Sequence, residues 1–224
     1  PMPGVLPLRQ AIAQTAQETY GRAVDPETEV TVTAGGTEAL FSALAALVHP
    51  GDEVILFDPA YDSYDPAIRL NGGVPVHLNL APPDFRIDWQ AVKARISPRT
   101  RIIMVNTPHN PSGAVMHEAD WRELEALALK HNLVVISDEV YERLIFDGLR
   151  HHSVLSFPSL ADRSVAVYSF GKTFHATGWK VGYAVASPAL TTEIRKAHQF
   201  ITFAVNTPVQ LALAEYMANP DHYL

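Results

Sequence analysis

Cysteine is absent from the 224-residue sequence. That removes disulfides and thiolate metal sites, and it is compatible with a reducing compartment. Long apolar runs are also missing; none approaches the ~20 residues that a membrane-spanning helix needs. Runs of basic residues are missing too. The 17 basic residues are scattered, and 24 acidic residues outweigh them to a net charge of −7. That balance argues against nucleic acid or an anionic membrane as a partner. The ten histidines show no metal-ligand spacing. Neither a G-x-S-x-G elbow, a P-loop nor a G-x-G-x-x-G fingerprint occurs. The start, Pro1-Met2-Pro3-Gly4, has no charged region followed by an apolar stretch, so no secretory signal is read there. The expected location is cytoplasmic. There is no repeat and no linker, so residues 1–224 are expected to form one domain, cut from a longer chain.

What is present is an alternation. Short apolar, β-branched runs at 29–33, 53–57, 74–80, 101–106, 133–138, 164–169 and 180–186 read as strands. Several are almost continuously apolar, which suits strands covered on both faces. Helical patterns lie at 37–48, 61–71, 88–96, 118–131, 189–203 and 207–217. The alternation predicts an α/β fold, a three-layer α/β/α sandwich with a seven-stranded, mostly parallel sheet. About ten residues separate the last two strands, too few for a helical crossover, so one strand is expected to run antiparallel.

Polar residues gather where strands end, and in open α/β sheets ligands sit at those ends. Gly35 and Gly36 lie between a strand and a helix, where backbone amides can approach an anion; Thr37 is read as N-cap and anion ligand. The plain alternative is a capped tight turn. Lys172 directly follows a strand, with Ser169 before it and Lys180 after it. Desolvation and neighbouring cations would favour the neutral amine that attacks an aldehyde, while Ser169 and Lys180 hold an anion beside it. A solvated loop lysine is the alternative. Asp138 at a strand end needs a partner if buried. A protonated ring nitrogen is one partner; a metal or a helix N-cap role are others. Tyr141 is placed to donate to a ring oxygen. Asn110, between two prolines, is held rigidly for the same purpose unless its loop is only a turn. Tyr61 offers a ring face for stacking, or simply packs in the core.

The stretches TAGGTEAL, DPAYDSY, NTPHNPSG, SDEVYE and SFGKTFHATGWKVGY, in this order and spacing, resemble class I/II aminotransferases. These are fold type I enzymes that use pyridoxal 5′-phosphate (PLP). The wording of NTPHNPSG and FGKTFHATGWKVGY is most similar to the methionine and kynurenine aminotransferase branch. The resemblance implies transamination between an apolar, sulfur-containing or aromatic amino acid and a 2-oxo acid, in a homodimer. It implies that Lys172 is the Schiff-base lysine and acid/base, and that Asp138 pairs with the pyridine nitrogen. Tyr141 and Asn110 would bind the ring O3′, with Asn110 also facing the substrate carboxylate, and Tyr61 would stack on the ring. Gly36, Thr37, Ser169 and Lys180 would hold the phosphate, with Gly35 close by. One departure is Lys180, where most relatives have arginine; the charge stays and the bidentate fork is lost. The other is length: the family's N-terminal segment and C-terminal small domain are expected to lie outside this span. Alternatives are a PLP-dependent C–S β-lyase, an aminotransferase-like domain of a transcription regulator, or a span inactive by itself.

Overall fold

The structure is a computed structural model that describes residues 1–218. In chain order the elements are α1 Leu6–Tyr20, β1 Val30–Thr33, α2 Gly36–Leu47, β2 Glu53–Asp58, α3 Tyr64–Leu70 and β3 Val74–Asn79. There follow α4 Trp89–Arg95, β4 Thr100–Asn106, α5 Glu118–His131, β5 Val134–Asp138 and α6 Pro158–Ala161. The last are β6 Ser164–Ser169, α7 Phe170–Thr173, β7 Gly182–Ala186, α8 Pro188–Ile201 and α9 Thr207–Met217.

The strands form one sheet in the order β1-β7-β6-β5-β4-β2-β3. β7 is antiparallel to both its neighbours and the other pairings are parallel, as expected from the short β6–β7 connection. Helices cover both faces, which is why the strands carry so little polar alternation. One face packs Ile55, Ile103, Val135, Ala166 and Val185 against Leu8, Ile12, Val92, Trp121 and Leu213. The opposite face packs Val54, Ile102, Ile136, Val165 and Ala184 against Leu40, Leu44, Ile68 and Ile194. Strand β3, at the sheet edge, is the exception and leaves Val74, His77 and Asn79 exposed.

Register places the polar strand ends together. Asn106 is opposite Asp138, Asp138 opposite Val167, and Ser169 opposite Gly182. Gly182 has to be glycine for steric reasons. A Cβ there would lie 2.6 Å from the Tyr168 carbonyl oxygen and 2.8 Å from the Gly35 and Gly36 backbone. The turn before α2 is therefore pressed onto β7, beside the end of β6.

Some sequence expectations shift. The helix expected at 61–71 begins only at Tyr64, because residues 62 and 63 form a turn. The strand expected at 180–186 begins at Gly182, because Lys180 is left-handed, with φ 52°. Helix α1 was not expected. Its buried face is Leu8, Arg9, Ile12, Ala13 and Ala16, so alanines and an arginine stand where an apolar stripe would announce a helix. Arg9 is buried because its guanidinium donates to the Gly4 and Pro26 carbonyls and to Glu27. No helix among the described residues is long and apolar enough to cross a membrane.

Candidate active site

The C-terminal ends of β4, β5 and β6 meet the N-terminus of α2 around a cavity of about 130 Å³. Gly35, Gly36, Thr37, Tyr61, Asn110, Asp138, Tyr141, Ser169, Lys172 and Lys180 all line it. A larger cavity of about 460 Å³ adjoins, sharing Tyr61 and Asn106.

One end of the smaller cavity is built for an anion. Gly35 is the residue that caps α2, with φ 86°, so the helix starts at Gly36. Thr37 is thus inside the first turn and is not the N-cap; its hydroxyl lies 3.4 Å from the Tyr61 hydroxyl. The correction has a steric cause: the positive φ that the turn requires suits glycine. A Cβ on Gly36 would sit 2.9 Å from Val140 Cγ1, so the amides here approach the cavity without a side chain between. The Lys180 ammonium lies against the same turn, 3.3 Å from where a Gly35 Cβ would be. Ser169 begins α7 without a side-chain capping bond. Among the described residues, neither Lys172 nor Lys180 has a salt bridge. Two cations and a helix N-terminus therefore face one small space.

The opposite end is built around a buried acid. Asp138 is 4% exposed. Its Oδ2 accepts from the Tyr64 hydroxyl at 2.5 Å and its Oδ1 from the Val140 N–H at 3.3 Å. Burial pushes its pKa up to about 6, against the lowering by Tyr64, Val140 and Lys172. No cation of the described residues reaches hydrogen-bonding distance of it. The alternative of a helix N-cap is not realised, since the first helical turn after β5 begins only at Val154.

Between the ends stand the rest. The Lys172 Nζ lies 5.3 Å from the centre of the Tyr141 ring. Asn106 braces the loop before Asn110: its Oδ1 accepts the Asn110 N–H at 2.7 Å and its Nδ2 donates to the Asp138 carbonyl at 3.0 Å. In the sequence Asn106 is only one more polar residue at a strand end, with no neighbour that announces its task. Tyr64 has no sequence signal of its own, although the DPAYDSY run sets it three residues beyond Tyr61. Their rings meet edge to face, with centres 5.7 Å apart.

Residues 1–224 match the family model of "Aminotransferase class I and II". The chain belongs to this family. A methionine aminotransferase of Escherichia coli (strain K12) is 56% identical over all of this chain, which covers 58% of that protein. A probable N-succinyldiaminopimelate aminotransferase of Mycobacterium tuberculosis is 41% identical, with all of this chain and 57% of that protein matched. Kynurenine–oxoglutarate transaminase 3 of Rattus norvegicus is 39% identical over 88% of this chain and 45% of its own length. The crystal structure of YbdL from Escherichia coli, whose reactivity identifies a methionine aminotransferase function, superposes with a TM-score of 0.98 at 55% identity. It is matched over 59% of its length and all of this chain. The chain thus spans about half the length of the curated relatives it matches. Class I and II aminotransferases depend on PLP, and the expected resemblance to the methionine and kynurenine branch agrees with these relatives.

Proposed function

We propose that this chain is the PLP-binding large domain of an aminotransferase acting on apolar, sulfur-containing or aromatic amino acids with a 2-oxo acid as acceptor. One observation carries the proposal: a buried carboxylate without a cationic partner, Asp138, and an unpaired lysine, Lys172, line one cavity with an anion cup. PLP has matching parts in a basic ring nitrogen, an aldehyde and a phosphate. The 56% identical methionine aminotransferase supports the substrate class. The proposal includes a homodimer, as the family resemblance implies, and a cytoplasmic location.

When bound, the cofactor supplies an aldehyde that condenses with amines and a ring that draws electrons from the amino acid's Cα. Lys172 would be the residue that holds that aldehyde, and its amine would serve as the acid/base for the proton at Cα and C4′. Asp138, as a carboxylate, would keep the ring nitrogen protonated and gain there the cationic partner that its buried site lacks. Tyr141 and Asn110 would hold the ring O3′, Asn110 would also face the substrate carboxylate, and Tyr61 would cover the ring. The Gly36 amide, Thr37, Ser169 and Lys180 would hold the phosphate, with Gly35 close by to keep the turn open. Lys180 can do this as a point charge, without a guanidinium's fork.

The test is a half-reaction screen of the full-length protein with methionine, phenylalanine, kynurenine and aspartate, read from cofactor absorbance. Faster conversion with methionine or an aromatic amino acid is expected. Preference for aspartate would overturn the substrate class, and no conversion with any amino acid would overturn transamination.

A further inference from the structure

Strand β3 carries His77 on the face opposite Val76 and Leu78, and both its ring nitrogens meet carboxylates. Nδ1 lies 2.8 Å from Asp58 Oδ2 and Nε2 lies 2.8 Å from Asp65 Oδ2. A neutral imidazole has one N–H and can donate to one of them; only the imidazolium donates to both. The two acids are not arbitrary. Asp58 is the last residue of β2, and Asp65 is in the first turn of α3. Between them run the residues that bring Tyr61 to the cavity wall and Tyr64 to Asp138.

We propose that His77 is a positioning residue for the cofactor cavity: as an imidazolium it clamps Asp58 to Asp65 and so fixes the loop that presents Tyr61 and Tyr64. The inference rests on PLP being the occupant of that cavity. Around the clamp, Arg69 also holds Asp65, through Oδ1 at 2.6 Å and through the Oδ2 it shares with His77 at 3.2 Å, and Asp62 lies in the clamped loop. Helix α4 lies under Val76 and Leu78 on the other face; its charges are Lys93, paired with Glu123, and Arg95. Burial works against a charged His77, but the bonds to Asp65 and Asp58 outweigh it and raise its pKa.

The sign follows. The clamp is fully made below the ordinary histidine pKa and is lost as pH rises through the raised one. Above that point the ring keeps one N–H and can donate to only one of the two carboxylates, so Asp58 and Asp65 are no longer tied together and the loop loosens. His77→Phe keeps a ring but has no N–H, so it is loosened at every pH.

The experiment compares PLP dissociation constants of the full-length wild type and His77→Phe between about pH 6 and about pH 9, where an unperturbed histidine goes from charged to neutral. The variant is expected to bind about two- to fivefold more weakly at the acid end, a modest factor because partly exposed pairs are screened. The two proteins should converge at the alkaline end. A ratio constant across pH is what ring packing alone would give, and it would overturn the clamp. A cofactor-free measurement separates this from the cofactor assignment: the His77 imidazole is titrated by NMR in wild type, Asp58→Asn and Asp65→Asn. Its midpoint should fall in either variant, and the Tyr61 and Tyr64 ring signals should titrate with it in wild type. Absence of both effects overturns the clamp even if PLP binds; a wild type that binds no PLP while both effects are seen overturns only the cofactor assignment.

Discussion

The Tyr64 hydroxyl donates to Asp138 Oδ2 across 2.5 Å, and this bond joins the start of α3 to the acid at the end of β5. Both groups are buried. Asp138 pushes the Tyr64 hydroxyl pKa up, second to burial itself, so the tyrosine stays a donor throughout the neutral range. The bond favours the charged carboxylate that a protonated ring nitrogen needs.

Tyr64→Phe should therefore weaken the site without unmaking the fold. A hydrogen bond to a charged group is worth about 1.5–3 kcal/mol. The PLP dissociation constant is expected to rise about tenfold or more, by spectroscopic titration of the full-length protein. An unchanged constant would show that Tyr64 does not support Asp138.

Asp138 also gives a pH dependence that can be read without cofactor. Its folded pKa of about 6 stands above the ordinary 3.8. Between those values the folded state binds more protons than the unfolded state, so stability falls as pH rises through the window. Asp138→Asn removes this term. Cofactor-free Asp138→Asn is expected to exceed cofactor-free wild type at pH 7 by about 2–3 kcal/mol in denaturant unfolding, from about 1.4 kcal/mol per pKa unit. The gap should close towards pH 4. A gap independent of pH would show that Asp138 is not a strained buried acid.

Gly182→Ala tests the contact that places the anion cup. Its Cβ would meet three backbone atoms, and none of them can rotate away. A loss of about 1–3 kcal/mol in unfolding stability is expected, as for other overpacked sites. PLP binding should weaken as well, because the displaced backbone is that of Gly35 and Gly36. Stability loss with unchanged PLP affinity would separate β7 from the cup.

The α/β sandwich was legible because β2, β4, β5 and β6 are buried on both faces and read as unbroken apolar runs. The antiparallel strand was legible from the short connection between Ser169 and Gly182. The cavity lining was legible too, because Gly36, Asp138, Asn110 and Lys172 each sit at a strand end with a neighbour of recognisable chemistry. Residues whose meaning lies in a partner far along the chain escaped. Tyr64 reaches Asp138 across 74 positions, and nothing near Tyr64 in sequence announces it. His77 looks like one more edge-strand polar residue until Asp58 and Asp65 are folded onto it. Helix α1 escaped because its buried arginine is stabilised by carbonyls and Glu27 brought in by tertiary packing. Thr37 was misplaced as a cap because the positive φ of Gly35, which moves the cap back two residues, is a property of the folded turn.

Borohydride reduction shows which lysine holds the cofactor. Full-length protein is mixed with PLP, reduced, digested, and mapped for the added pyridoxyl group by mass spectrometry. The group is expected on Lys172, and is expected to be lost in Lys172→Ala. A label on Lys180 or any other lysine, or no label at all, would contradict it.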